Sequence, residues 1–380
     1  MQLRLGIDRI DDLNIKNIFL NKRVGLITNP TGISSEIKST IDVLNEKVNL
    51  VCLFSPEHGI RGNIQAGVSL DTYIDSDTNI TVYSLFGKTN KPTKEMLDNV
   101  DILAIDIQDV GSRFYTYLYT MSHAMQAAKE FDKEFVVFDR PNPINASCFE
   151  GNILEEKYKS FVGWPILQRY GLTIGEVAKL FNKEFNIGCK LTIIEMEGYD
   201  RNKYYDELGK VWVVPSPNIP SLNSALVYNA TCQFEGTNIS EGRGTTTPFE
   251  VVGAPFINPK DLANKLNELK LKGVYFRPTY FTPTFSKHSG EICGGVYLHL
   301  IDRTIFEPVK TGWAMVYIIR SLYKDYFVIN PSKTDRPTFF DLEAGCDKLQ
   351  NPDYSLLELF NYLDSEKEKF RKIRDKYLIY

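Results

Sequence analysis

The chain has no CxxC pair, no basic run long enough to track a polyanion, and no apolar stretch near the ~20 residues that cross a membrane. Its six cysteines (Cys52, Cys148, Cys189, Cys232, Cys293, Cys346) are scattered, which argues against a zinc site or a disulfide framework and for reduced thiols. A net charge of −4 without clustered Lys and Arg excludes nucleic acid as the main partner. The N-terminal MQLRLGIDRIDDL lacks a basic-then-apolar leader pattern, so the chain as written reads as soluble and cytoplasmic. Had a leader been removed, the expectation becomes secreted or periplasmic. Also missing are GxGxxG after the first strand, GxxxxGK[ST], HExxH and GxSxG. Dinucleotide, P-loop, zincin and serine-hydrolase chemistry therefore have no local support, and no cofactor or metal is expected.

What is present points to a well-packed α/β protein. At 380 residues the chain exceeds what one core usually serves, and 43% apolar with 24% charged residues excludes large-scale disorder. Short β-rich runs at 23–28, 49–54, 81–85, 102–107, 135–139 and 190–196 alternate with helical stretches at 116–131 and 171–185. That rhythm predicts a mostly parallel sheet, and ligands of such sheets gather outside the carboxyl ends of the strands. The Pro-rich VVPSPNIPSLNSA at 213–225 reads as a linker. The division expected is a domain at 1–222 and a smaller α+β domain at 223–380, the latter with a helix near 259–272 and strands near 274–277 and 295–301. Two bodies of this size leave a cleft between them.

Three loops concentrate chemistry. SPEHGIRG follows the second strand and carries Glu57, His58 and Arg61 between a proline and glycines. A carboxyl sheltered at a strand end can keep a proton for a leaving oxygen. DIQDVGSRFYTY sets Asp106 and Gln108 on one face of a strand end, followed by Asp109, Arg113 and Tyr115. Amides, carboxylates and aromatic rings of this kind bind sugars, and a solvated strand end with core tyrosines is the plainer alternative. FEGTNISEGRGTTTP supplies Glu235, Asn238, Glu241 and Arg243, the last flanked by glycines that permit close approach to an anion. An interdomain salt-bridge network would use the same charges. FSKHSGEICGG adds Lys287, His288 and Glu291 near a glycine-rich bend.

Together with DRPNPIN and PSPNIP, these motifs resemble one family across nearly the whole chain, the NamZ-type exo-β-N-acetylmuramidases. The resemblance implies a Rossmann-like N-terminal domain joined to the smaller α+β C-terminal domain, with the active site in the cleft between them. It also implies a glycoside hydrolase that removes N-acetylmuramic acid from non-reducing ends of peptidoglycan fragments, with muramyl-glucosaminyl saccharides as its partners. It implies Glu57 as the catalytic acid, with Glu241, Glu235 and Asp106 as candidates for the second group. That group would activate water, stabilise the oxocarbenium-like transition state or orient the substrate's own N-acetyl group. Substrate contacts are expected from His58, Arg61, Gln108, Asp109, Arg113, Tyr115, Asn238, Arg243 and His288, with Arg243, or secondarily Arg61, meeting the lactyl carboxylate. Two other readings compete: a non-catalytic cleft binding a sugar or nucleotide, and a metal-dependent hydrolase using His58, Asp106 and Asp139.

Overall fold

A computed structural model of the chain describes residues 2–62, 71–160, 163–332 and 334–380. Seven strands form the first sheet: β1 (Arg23–Thr28), β2 (Asn49–Ser55), β3 (Tyr73–Ile74), β4 (Thr81–Ser84), β5 (Ile102–Asp106), β6 (Glu134–Phe138) and β7 (Lys190–Ile194). Their order is β3-β4-β2-β1-β5-β6-β7, parallel throughout except for the β3–β4 pair. The chain starts at the centre, builds outward through β2 and β4, then returns to place β5 on the other side of β1. The order therefore reverses beside β1, where loops from both halves of the sheet diverge and leave a crevice.

Alternation within the strands explains the two layers. Val24, Leu26, Ile102, Ala104, Val136 and Phe138 face one core, which the N-terminal segment closes with Leu3, Leu5, Ile7, Ile15 and Phe19. Ile27, Leu103, Ile105, Phe135 and Val137 face the other, against the helix Tyr117–Glu130 and the helix Ile174–Glu184. The latter begins in a capping box between Thr173 and Glu176.

The smaller second domain carries an antiparallel sheet of β8 (Val251–Ala254), β9 (Val274–Phe281) and β10 (Cys293–Leu300), in the order β8-β10-β9. The helices Pro259–Glu268, Pro308–Leu322 and Leu356–Arg374 complete it. Its core is continuous with one face of the first sheet: Val252, Val296, Leu298 and Trp313 belong to the same buried cluster as Ile105 and Met121. The Pro-rich run does not stay irregular to 225, because Ser221 caps a helix at Leu222–Thr231. All six cysteines are unpaired.

Candidate active site

A cavity of about 410 Å³ opens at the carboxyl end of the large sheet and draws its lining from both halves of the chain. After β2 the backbone turns through two consecutive left-handed residues, His58 (φ 74°) and Gly59 (φ 79°). A non-glycine residue rarely holds this conformation, and here it sets Glu57 and His58 into the cavity wall. The Thr116 hydroxyl donates to Glu57 Oε2 at 2.9 Å and so orients the carboxyl. Phe114 and Tyr115 add an apolar wall, and Tyr115 stands edge-on to Tyr117 and Tyr228. Ser216, Asn218 and Ile219 of the Pro-rich run also line the cavity, and the Tyr117 hydroxyl anchors that run through the Pro215 carbonyl.

The second half contributes Tyr228, Cys232, Glu235, Arg243, Phe249, Phe339 and Glu343. Arg243 Nη2 lies 2.7 Å from Glu235 Oε1, and its guanidinium lies over the Phe249 ring. Burial pushes the Glu235 carboxyl up to about 7, against the pull of Arg243. Glu343, only 1% exposed, is driven well above the usual carboxylate range by its burial and by neighbouring Glu235. Cys232 Sγ lies 3.5 Å from Glu343 Oε1 and 3.7 Å from Glu235 Oε1, so its one S–H can reach either carboxyl, and ligand-type atoms of the three side chains sit within 4.8 Å of one another. A divalent cation uses such donors, but the Arg243 guanidinium already serves as the cation on Glu235.

Of the side chains predicted from sequence, Glu57, His58, Tyr115, Glu235 and Arg243 line this cavity. Glu241 stands behind it, in an ion pair of 2.8 Å with Lys287 and 3.7 Å from Arg243 Nε. The others are placed elsewhere. Asp106 is fully buried at the end of β5, held by Arg140 (2.8 Å) and by the Thr40 hydroxyl, which corrects its candidacy as second carboxylate. Asp139 is buried in a separate network with Thr173, Gly175 and Tyr380, so His58, Asp106 and Asp139 do not converge on a metal. Gln108 donates to the Asp109 and Pro141 carbonyls, and Asp109 accepts from Gly111 and Tyr170, so both shape the loop after β5 from within. Arg113 is inaccessible and donates to the carbonyls of Asn152, Ile166, Glu343 and Ala344. Arg61 is engaged by Asp75 and Asp77, each at 2.8 Å. His288 and Asn238 bond each other, and Asn238 braces Tyr326 and Val328. Cys232, Ser216, Tyr228 and Glu343 are absent from the predicted set; of these only Ser216 lies in a motif singled out from sequence, PSPNIP.

Residues 24–223 match the N-terminal domain, and residues 226–380 the C-terminal domain, of the family described as exo-beta-N-acetylmuramidase NamZ. The chain belongs to that family. It is 49% identical over 386 residues to the peptidoglycan beta-N-acetylmuramidase NamZ of Bacillus subtilis, covering all of this chain and 92% of that protein. Two DUF1343 family proteins of Bacteroides fragilis share the fold. One has a TM-score of 0.92 at 38% identity and the other 0.78 at 31%, and each match covers all of this chain and 99% of theirs. NamZ membership thus spans both halves of the cavity wall. No described helix is long and apolar enough to cross a membrane.

Proposed function

We infer that the protein is an exo-acting β-N-acetylmuramidase, a glycoside hydrolase that releases N-acetylmuramic acid from the non-reducing ends of peptidoglycan fragments. Family membership over the full chain supports the activity and disfavours a non-catalytic binder. For the site, the supporting observation is that a single cavity is lined by Glu57 from one half of the chain and by Glu235 and Arg243 from the other. We read the halves as domains divided between 222 and 223, in keeping with sugar sites that form where two bodies meet.

In this reading Glu57 gives its proton to the glycosidic oxygen as the bond from the anomeric carbon breaks, and the Thr116 hydroxyl fixes the carboxyl's orientation. Glu235, kept near Arg243, supplies the second carboxylate toward the positive charge that develops at the anomeric carbon. Tyr115 and Phe114 give the sugar ring an apolar face. Arg243 has N–H donors beyond those Glu235 takes, and the lactyl carboxylate that distinguishes muramic acid from glucosamine is their natural partner. The test is release of free N-acetylmuramic acid from a muramyl-glucosaminyl disaccharide. The native chain should release it and Glu57→Gln should lose at least about 100-fold in kcat, within the range for removing a general acid. Equal rates would remove Glu57 from the acid role.

A further inference from the structure

Glu343 is the one carboxylate of the cavity wall that no sequence motif announces. Two features seat it there. The short helix Phe339–Ala344 lies directly on the turn Cys232–Gly236, and Gly236 allows this: a Cβ on Gly236 would come within 2.5 Å of Phe340 Cα. Arg113, reaching across from the loop after β5, donates to the backbone carbonyls of Glu343 and Ala344 at the carboxyl end of the same helix. The carboxyl is thus held by the backbone, with its charge left to its surroundings.

Those surroundings contain two cations and three anions or potential anions. Arg243 and Lys287 bear positive charge, but Arg243 is paired with Glu235 and Lys287 with Glu241, and neither lies within ion-pair distance of Glu343. Cys232 faces Glu343 as a thiol donor, and Glu235 faces it as a second carboxyl. Glu343 Oε2, fully buried, has no hydrogen-bond partner among the described residues. A buried carboxyl without a cation, beside another carboxyl that has one, is the arrangement in which one proton is retained between the two.

We propose that Glu343 and Glu235 hold one proton between them, carried mainly on Glu343, and that the Glu343 carboxyl donates it as a hydrogen bond to the carboxylate of the bound muramyl sugar. The inference rests on the muramidase reading. Arg243 alone attracts the lactyl carboxylate, but the same anion then meets Glu235, and an ionised Glu343 on the wall would repel it further. A neutral Glu343 turns that wall into a donor. No bond is made or broken; the proton stays on Glu343 and is shared with the ligand oxygen.

The consequence is that binding of the anionic sugar requires the shared proton. The experiment uses the catalytically disabled Glu57→Gln chain and N-acetylmuramic acid itself, titrated calorimetrically in buffers of different ionisation enthalpy. Affinity should fall by about tenfold per pH unit once the pair loses its proton, with proton uptake on binding over the same range. Adding Glu343→Gln, which keeps a donor but cannot ionise, should flatten the dependence to within about twofold and abolish the uptake. An unchanged pH dependence in the double variant overturns the proposal. If the sugar fails to bind Glu57→Gln at any pH while the native chain also releases no N-acetylmuramic acid, it is the muramidase reading that falls. Should Glu343→Gln not fold, infrared difference spectra of the single variant provide the second test. Binding must perturb a protonated-carboxyl band, and its absence overturns the pairing.

Discussion

Arg243 Nη2 and Glu235 Oε1 meet at 2.7 Å inside the cavity wall, and the guanidinium rests on the face of Phe249 at 5.1 Å. The pair is semi-enclosed, with 23% and 18% of the side chains exposed, so the charge is only partly screened. A substrate carboxylate arriving here adds to an existing ion pair, and the fork geometry of arginine can serve both oxygen sets. Arg243→Ala should therefore lower kcat/KM for a chromogenic muramide by about 10- to 100-fold more than for the matching glucosaminide, the value of a charge-assisted bond of about 1.5–3 kcal/mol. Arg243→Lys should recover part of the loss. A folded Arg243→Ala chain with unchanged preference between the two sugars assigns the residue to bracing alone.

The GRG turn that presents Arg243 depends on the absence of a side chain at Gly244. Its backbone is left-handed (φ 83°), and a Cβ would lie 2.5 Å from the Phe285 carbonyl oxygen. That contact belongs to the loop whose Thr284 N–H donates to the Gly244 carbonyl. Gly244→Ala should cost about 1–3 kcal/mol in stability. Because the same loop carries Lys287, it should also reduce kcat/KM. Thermal melts and kinetics on one preparation give both readings, and a variant as stable and active as the native chain would refute the tight-turn argument.

The parts of this structure that sequence reveals are those governed by local pattern. RVGLIT, NLVCLF and ILAIDI are β-branched apolar runs closed by Pro- or Gly-containing loops, and they form β1, β2 and β5 within a residue or two of expectation. Glu57 and Arg243 stand out in the sequence because each sits in a polar, glycine-bearing loop, and the fold brings both to the wall of one cavity. Glu343 was not legible. It belongs to FFDLEAG, an ordinary short helix that Gly236 and Arg113 seat against the cavity, a tertiary fact without a local signature. Asp106 failed the other way. Its place at a strand end matches that of a ligand-binding carboxylate, and only its pairing with Arg140, 34 residues on, shows that it serves the fold.

That pairing bears directly on stability. Asp106 and Arg140 are 0% and 1% exposed, and Arg140 also donates to the Ile33 carbonyl, so the guanidinium ties together the loops after β1, β5 and β6. Removing the carboxylate strands a buried cation. Asp106→Ala should lose about 3–5 kcal/mol in urea unfolding, while activity per folded molecule stays near native. Loss of turnover in a chain of native stability would instead return Asp106 to the list of catalytic groups.

Buried carboxyls also make the fold itself sensitive to pH. Asp109 is fully buried. Its Oδ2 accepts from the Gly111 N–H at 2.7 Å and from the Tyr170 hydroxyl, while Oδ1 has no partner among the described residues. Desolvation raises this carboxyl from 3.8 to about 7, outweighing the hydrogen bonds that favour the charge. Asp139 and Glu150 are likewise pushed up to about 7 by burial. In each case the folded chain keeps a proton that the unfolded chain has already released above about pH 4, so the unfolded state binds fewer protons across the interval. Stability is then fully present below the unfolded value, declines as pH rises from about 4 to about 7, and levels off beyond. For Asp109 alone the decline has a ceiling of roughly 4 kcal/mol, at about 1.36 kcal/mol for each pH unit of that interval. Asp109→Asn keeps an acceptor for Gly111 and Tyr170 and cannot ionise, so its urea midpoint should fall less than that of the native chain between about pH 5 and about pH 8. Parallel pH profiles for the two chains would show that Asp109 is ionised in the folded protein throughout.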